Sequence, residues 1–126
     1  MERLNVLVVD DSLLATQVLK SALEELGHRV VRTASTGTEA LSAYKVCNPD
    51  IVTMDVTMPG MSGIEATEKI MKSYPDARII MVSSHAQQGV IMGAIKAGAK
   101  SFLLKPIKPD KLRDVLEQVV NLKAKT

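Results

Sequence analysis

Residue types suited to phosphate and metal chemistry follow four apolar runs of the chain. Asp10 and Asp11 follow residues 6–9, Asp55 follows 51–54, Ser83 follows 79–82 and Lys105 follows 102–104. A carboxylate at the end of a buried strand is unfavourable unless a cation meets it. In an open parallel α/β sheet, ligands bind at the carboxyl ends of the strands. The pattern therefore predicts one polar, metal-loaded site at that edge.

The chemistry of this set favours phosphoryl transfer. Clustered carboxylates repel one another, so they take up protons or bind a cation, and ligation by oxygen alone favours Mg²⁺. The spacing of the two histidines and the single cysteine does not match a zinc site. Lys105 supplies a point charge suited to phosphate, and Ser83 supplies a hydroxyl donor. Asp55, on the predicted central strand, is the candidate nucleophile and covalent acceptor.

Strand-like and helix-like periods alternate along the chain and must position these residues. The first helix carries an apolar stripe at the spacing typical of a core-facing helix: Leu14, Val18, Leu19, Ala22, Leu23 and Leu26. The predicted strands are 4–9, 29–33, 50–54, 78–82 and 100–104. The predicted helices are 12–26, 36–47, 64–73, 87–97 and one that begins at Pro109.

Five successive βα units with short connections predict an α/β fold, a parallel sheet with helices on both faces. Strands 1, 3, 4 and 5 bring the polar residues to one edge of that sheet. Strand 2 is expected at the margin, where it ends in Thr33-Ala34 and contributes nothing to the site.

Composition is compatible with such a site and excludes several classes. We expect one domain, residues 1–126, with a core of aliphatic residues and methionine, because aromatics make up only 2% of the chain. The net charge of +2 is too small to indicate a nucleic-acid-binding protein. A lone cysteine excludes an intrachain disulfide. We find no signal peptide and no apolar run of membrane-spanning length, so we expect a cytoplasmic protein without membrane insertion.

The motifs together match a family. They are Val8-Val9-Asp10-Asp11, Asp55-x-x-Met58-Pro59-x-x-x-Gly63, Ser83-Ser84, Ala97-Gly98-Ala99 and Lys105-Pro106. In this order and spacing, the chain resembles the receiver domain of bacterial two-component response regulators over essentially its whole length. The resemblance implies a flavodoxin-like, three-layer α/β/α fold whose five parallel strands are ordered 2-1-3-4-5.

The resemblance also implies the roles of the acids. Asp55 would be the phosphoacceptor. Asp11 and Asp55 would bind Mg²⁺ directly, Asp10 would act mainly through water, and the backbone carbonyl of Thr57 would be a further ligand.

The remaining site residues take their implied roles from the same family. Ser83 would donate a hydrogen bond to the phosphoryl group, Lys105 would pair with it, and the peptide before Pro106 would be cis. Phe102 would be the switch aromatic, in place of the more common tyrosine. Thr57 and His85 would line the phosphorylation site, while His28 is expected in a surface turn.

The implied function is that of a signalling switch which catalyses only its own phosphorylation and dephosphorylation. A histidine kinase would supply the phosphoryl group, and a phosphatase could remove it. Residues 50–59 and 95–100 resemble stand-alone chemotaxis receivers, which suggests a monomer acting on a target such as the flagellar motor switch.

Several alternatives stay open from the residues alone. The chain can be the receiver of a larger regulator, either a transcription factor or the chemotaxis methylesterase, which residues 81–84 resemble. An aspartyl-phosphate phosphohydrolase is less favoured, because Thr57 stands where such enzymes need a second acid. A flavin carrier is disfavoured by the near absence of aromatic residues, and a degenerate receiver by the intact polar set.

Overall fold

The computed structural model describes residues 2–85 and 87–124. Its strands are β1 (Asn5–Val9), β2 (Arg29–Ala34), β3 (Ile51–Asp55), β4 (Ile79–Ser83) and β5 (Ser101–Leu104). Its helices are α1 (Leu13–Glu25), α2 (Gly37–Cys47), α3 (Gly63–Ser73), α4 (Gln88–Ala97) and α5 (Pro109–Ala124). The predicted alternation is confirmed, with bounds that differ by at most one residue.

The five strands form one sheet in the order β2-β1-β3-β4-β5, which confirms the flavodoxin-like topology. Every neighbouring pair of strands is parallel. β3 lies at the centre, and all of its residues are buried. The register pairs Val9 with Met54 and Ser83 with Leu104, so the strands end in nearly one row. Residues that directly follow these strands are therefore neighbours.

Side chains of the strands alternate between two apolar clusters, one on each face of the sheet. Leu7, Val52 and Met81 belong to the cluster that includes residues of α2, α3 and α4. Val8 and Ile80 belong to the cluster that includes residues of α1 and α5. This alternation follows from the two-residue period of a strand, and burial on both faces explains the continuous apolar runs.

Side-chain caps mark the starts of α1, α2 and α3. The Thr36 hydroxyl accepts a hydrogen bond from the Glu39 N–H at 3.0 Å at the start of α2. The Ser12 hydroxyl accepts from the Ala15 N–H at 3.2 Å in the same way, so α1 begins directly after Asp10 and Asp11. In the described ranges, no helix is long and apolar enough to cross a membrane.

Two expectations from the sequence are wrong. Leu14 and Val18 are 75% and 55% exposed, because α1 turns Leu19 and Leu23 onto the sheet and leaves the flank of the stripe uncovered. His28 is buried rather than in a surface turn, and its Nδ1 accepts a hydrogen bond from the Leu4 N–H at 3.1 Å. An imidazole can replace a missing backbone acceptor at the start of a strand, and no spacing rule reveals such a contact.

Candidate functional site

The edge of the sheet at its carboxyl end gathers the three acids predicted from the sequence. Ligand oxygens of Asp10, Asp11 and Asp55 all lie within 4.8 Å of one another. Asp10 and Asp55 are buried, whereas Asp11 is exposed. A cation entering from solvent would thus meet Asp11 at the surface and the other two carboxylates beneath it.

Lys105 lies against the buried acids. Its Nζ donates a hydrogen bond to Asp10 Oδ2 at 2.7 Å and lies 3.5 Å from Asp55 Oδ1. The lysine is positioned by its own backbone, since the Lys105 N–H donates to the Ser83 carbonyl at 2.8 Å. The end of β5 therefore supplies the cation that the buried carboxylates require.

A single lysine leaves the acids short of positive charge. Burial, and next the charge of Asp10, raise the pKa of Asp55 from 3.8 to about 6, against the lowering effect of Lys105. Burial by itself would lower the pKa of Lys105, but its hydrogen bond to Asp10 and the charges of Asp55 and Asp10 raise it overall. The raised pKa of Asp55 and the raised pKa of Lys105 both show that the region favours additional positive charge.

Asp10 is held by backbone groups on two sides. Its Oδ1 accepts a hydrogen bond from the Ser12 N–H at 2.8 Å, and its own N–H donates to the Ala34 carbonyl at 3.0 Å. The expectation that strand 2 contributes nothing is therefore wrong for the backbone, because the last carbonyl of β2 positions Asp10. Side-chain patterns carry no information about such a contact.

Ser83 is buried at the end of β4, between the strand that ends in Asp55 and the strand that precedes Lys105. Its hydroxyl accepts a hydrogen bond from the His85 N–H at 3.1 Å. Movement of this hydroxyl would consequently also release the backbone of the loop that leads to α4. The His85 residue itself is exposed.

The remaining residues named by the resemblance lie around this edge. Thr57 is exposed in the loop that follows β3. Phe102 is half-buried, is paired in register with Met81, and packs against the cluster that includes α3 and α4 residues. The peptide that joins Lys105 and Pro106 is cis, the state that the resemblance implies.

The residues present fit a magnesium ion. The cluster offers only carboxylate oxygens, which are hard ligands of the kind that Mg²⁺ prefers, and Lys105 is placed to share an anionic ligand with such an ion. The structure thus supports a metal at Asp10, Asp11 and Asp55 by the chemistry and proximity of the donors.

Sequence reasoning missed an apolar groove that opens beside the acids. The groove has a volume of about 560 Å³, and its lining includes Leu14, Val18 and Ile107 together with Asp10 and Lys105. Two leucines, Leu13 and Leu14, are among the most exposed large apolar side chains of the described residues. Their exposure could not be inferred, because a helical stripe does not reveal where its covered part ends.

Comparison with known proteins determines the family. Residues 6–117 match the model of the response regulator receiver domain. This chain is a response regulator receiver.

The relatives of this receiver indicate which type of response regulator it resembles. The chemotaxis protein CheY of Thermotoga maritima is 46% identical over 114 residues, which cover 90% of this chain and 95% of that protein. A methylesterase/glutaminase of Hahella chejuensis is 39% identical over 117 residues, but these residues cover only 34% of that longer protein. The receiver is therefore a CheY-like response regulator domain, consistent with two-component signalling and chemotaxis.

A solved structure shows the same fold. The CheX–CheY–BeF3–Mg²⁺ complex from Borrelia burgdorferi matches the receiver with a TM-score of 0.88 and 36% identity, over 92% of this chain and 88% of that one. As a member of this family, the receiver belongs to a group of signalling switches.

Proposed function

We propose that a histidine kinase phosphorylates this protein on Asp55 in a Mg²⁺-dependent reaction, and that the phosphorylated form relays a chemotaxis signal. The observation that carries the proposal is the cluster of Asp10, Asp11 and Asp55. The carboxylate oxygens lie within 4.8 Å of one another, and Lys105 Nζ lies 3.5 Å from Asp55 Oδ1. Such an excess of negative charge is unfavourable in a folded protein unless a bound cation neutralises it.

In the proposed transfer, Asp55 is the nucleophile. One carboxylate oxygen forms a bond to phosphorus while the bond from phosphorus to the donor imidazole nitrogen breaks. The electron pair stays on that nitrogen, and the ring leaves as a neutral imidazole because its other nitrogen carries a proton. Mg²⁺ held by Asp10, Asp11, Asp55 and the Thr57 carbonyl would neutralise charge on the phosphoryl oxygens.

Lys105 and Ser83 stabilise the product in this proposal. Lys105 lies between Asp10 and Asp55, so a change of side-chain rotamer can transfer its hydrogen bond from Asp10 to a phosphoryl oxygen. Ser83 is buried at the neighbouring strand end and would donate its hydroxyl proton to another oxygen. The hydroxyl would then no longer be oriented as the acceptor for the His85 N–H.

The proposed output is a shift between two packings of the surface formed by α4, β5 and α5. A Ser83 hydroxyl that turns towards the phosphoryl group leaves space for the ring of Phe102, which is only half-buried. Because phenylalanine has no hydroxyl, burial of the ring must carry the change. The activated packing is slightly populated beforehand, and phosphorylation increases its population. Ile91, Ile95, Lys96 and Lys100 belong to the face expected to respond.

The proposed partners are a histidine kinase as donor, a phosphatase, and a downstream protein such as the flagellar motor switch. We propose that residues 1–126 form one domain that acts as a cytoplasmic monomer. The alternative is a receiver within a longer regulator, which the similarity to a methylesterase of greater length supports. Immunoblotting of the native host distinguishes the two by the length of the polypeptide.

Phosphorylation is tested with acetyl phosphate or phosphoramidate and Mg²⁺, followed by intact mass and mapping of the labile adduct. We expect one phosphoryl group on Asp55 and none on Asp55→Asn. Asp76→Asn is the matched control, because Asp76 is an exposed acid that follows α3. Labelling of Asp55→Asn at the wild-type stoichiometry would contradict the assignment.

The output is tested by amide NMR with and without beryllofluoride, which represents the phosphoryl group. We expect shifts to extend from the acids to residues 91–102 and to include Phe102. Phe102→Ala should retain phosphorylation and lose binding of the downstream partner. Shifts confined to the surroundings of Asp10, Asp11 and Asp55 would refute the proposed output.

A further inference from the structure

Gly63 is the first residue of α3 and lies directly against the backbone of Asp55. A Cβ atom built on Gly63 would lie 2.0 Å from the Asp55 carbonyl oxygen, 2.9 Å from its carbonyl carbon and 3.0 Å from Val56 Cα. Each of these neighbours is a backbone atom, which cannot move aside as the end of a flexible side chain can. Only a residue without a side chain fits here.

Gly63 also closes the loop that follows the phosphoacceptor. Its N–H donates a hydrogen bond to the Val56 carbonyl at 2.8 Å, so the two ends of loop 56–62 meet. Thr57, whose carbonyl is the proposed backbone ligand for Mg²⁺, lies inside this closed loop. Gly63 thus contacts the backbone that connects two proposed metal ligands, Asp55 and Thr57.

The surroundings leave little room for adjustment. Ala66 and Ile70 fix α3 in the core, with exposures of 0% and 1%, and every residue of β3 is buried. An added methyl group must therefore separate the helix from the end of β3 by more than an ångström to reach an ordinary contact distance of at least 3.4 Å. Metal ligands must be held within roughly half an ångström of their working geometry.

We infer that Gly63 is a positioning residue of the phosphorylation site: its lack of a side chain lets α3 hold the Asp55 backbone and loop 56–62 in the arrangement that binds Mg²⁺. The inference rests on the proposed function and deepens it, because it assigns the assembly of the metal ligands to a residue that carries no ligand atom.

The test compares Gly63→Ala with two other glycine variants by titration calorimetry with Mg²⁺. We expect Gly63→Ala to bind Mg²⁺ between about tenfold and a hundredfold more weakly, the range seen when supporting residues of metal sites are altered. Gly89→Ala is the control in open space, since a Cβ there has nothing within 4 Å. Gly93→Ala is the control for mild crowding, since its Cβ meets the end of the Ile64 side chain, at 3.3 Å.

A loss of affinity in all three variants, or in none, would overturn the inference. Circular dichroism identifies the folded fraction of each variant, and affinities are compared only for folded protein. Acetyl phosphate labelling is measured separately. If the wild type binds Mg²⁺ but takes up no phosphoryl group, the proposed function fails. The role of Gly63 in metal binding is then still decided by the Mg²⁺ affinities of the variants.

A second measurement on the wild type serves if Gly63→Ala does not fold. Metal binding should stabilise the closed loop, so Mg²⁺ should slow hydrogen exchange of the Gly63 amide, whose N–H donates to Val56. The Gly93 amide in the middle of α4 is the internal reference. Equal effects of Mg²⁺ on the two amides would contradict the inference, whereas selective protection of Gly63 would support it.

Discussion

The two ends of the sheet differ in how their polar groups are paired. At the amino end, His28 accepts a hydrogen bond from the Leu4 N–H, and Asp50 accepts one from the Asn5 N–H at 2.8 Å. At the carboxyl end, oxygens of three carboxylates lie within 4.8 Å of one another, and Lys105 contacts Asp10 and Asp55. Polar groups at the amino end are matched to donors and contribute to stability. Those at the carboxyl end keep an excess of negative charge that a cation can relieve.

This contrast shows where the protein gives up stability for function. Hydrogen-bonded neutral groups contribute favourably to folding, whereas unneutralised buried charges oppose it. Substitutions and pH changes at the two ends should therefore change the free energy of unfolding in different directions.

Removal of the positive charge of Lys105 should have the largest effect on the free energy of unfolding. Lys105→Met leaves Asp10 and Asp55 buried without a positive neighbour, and we expect the metal-free protein to lose about 3 kcal/mol of unfolding free energy at neutral pH. The measurement is urea unfolding in EDTA, with Lys108→Met, an exposed lysine, as the control. An unchanged midpoint for Lys105→Met would mean that the carboxyl end is not short of positive charge.

The charge of Asp55 should have the next largest effect. Because the folded state raises the pKa of Asp55 from 3.8 to about 6, the folded protein binds more protons than the unfolded chain between these values. The contribution of Asp55 to stability is therefore present below pH 3.8 and is lost as pH rises through about 6. We expect the loss between about pH 4 and pH 7 to be about 2 kcal/mol in metal-free protein.

Asp55→Asn tests this dependence, because the amide keeps the shape of the carboxylate and does not titrate. Unfolding free energies measured in EDTA between about pH 4 and pH 7 should fall for the wild type relative to the variant. If the two proteins follow parallel curves, the raised pKa of Asp55 is wrong.

The amino end should show the opposite dependence on pH. Burial lowers the pKa of His28 below its ordinary value of 6.5, so the folded state favours the neutral imidazole that accepts from Leu4. Its contribution is present above pH 6.5 and is lost as pH falls below that value.

His28→Asn retains a hydrogen-bond acceptor that does not titrate. It should therefore remove the loss of stability at low pH, called here the acid limb, as measured by unfolding at a series of pH values. His85→Asn replaces an exposed histidine and should leave the limb unchanged. A limb that disappears in His85→Asn and persists in His28→Asn would reverse the assignment of the two histidines.

Bound Mg²⁺ should offset part of the destabilising negative charge at the carboxyl end of the sheet. At a free Mg²⁺ concentration roughly three times the dissociation constant, mass action adds about 0.8 kcal/mol of stability. Asp11→Ala should lose most of this gain, and its metal-free form should be at least as stable as the wild type because repulsion falls. Thermal melts with and without Mg²⁺ measure the gain, and a melt insensitive to the ion would contradict the metal site.

Local sequence was sufficient to predict the strands, their parallel arrangement and the edge at which the site lies. Asp10, Asp55 and Lys105 each follow an apolar run, and side chains at the ends of neighbouring parallel strands must meet. The strand order and the roles of individual residues needed more than periodicity, and they came from resemblance to the receiver family. The roles of Thr57 as a metal ligand and of Phe102 as the switch aromatic remain predictions.

The sequence by itself thus determined the fold class and which residues share an edge, because strand period, turn chemistry and βα alternation are local properties. Only the tertiary structure decided that Leu14 and Val18 are exposed, that His28 is buried, and that Gly63 lies against the Asp55 backbone. These features depend on the packing of segments far apart in the chain, and the distances between them are set by the whole core. The preference of Lys105 for Asp10 over Asp55 has the same origin, since a difference between 2.7 Å and 3.5 Å depends on how β1, β3 and β5 align.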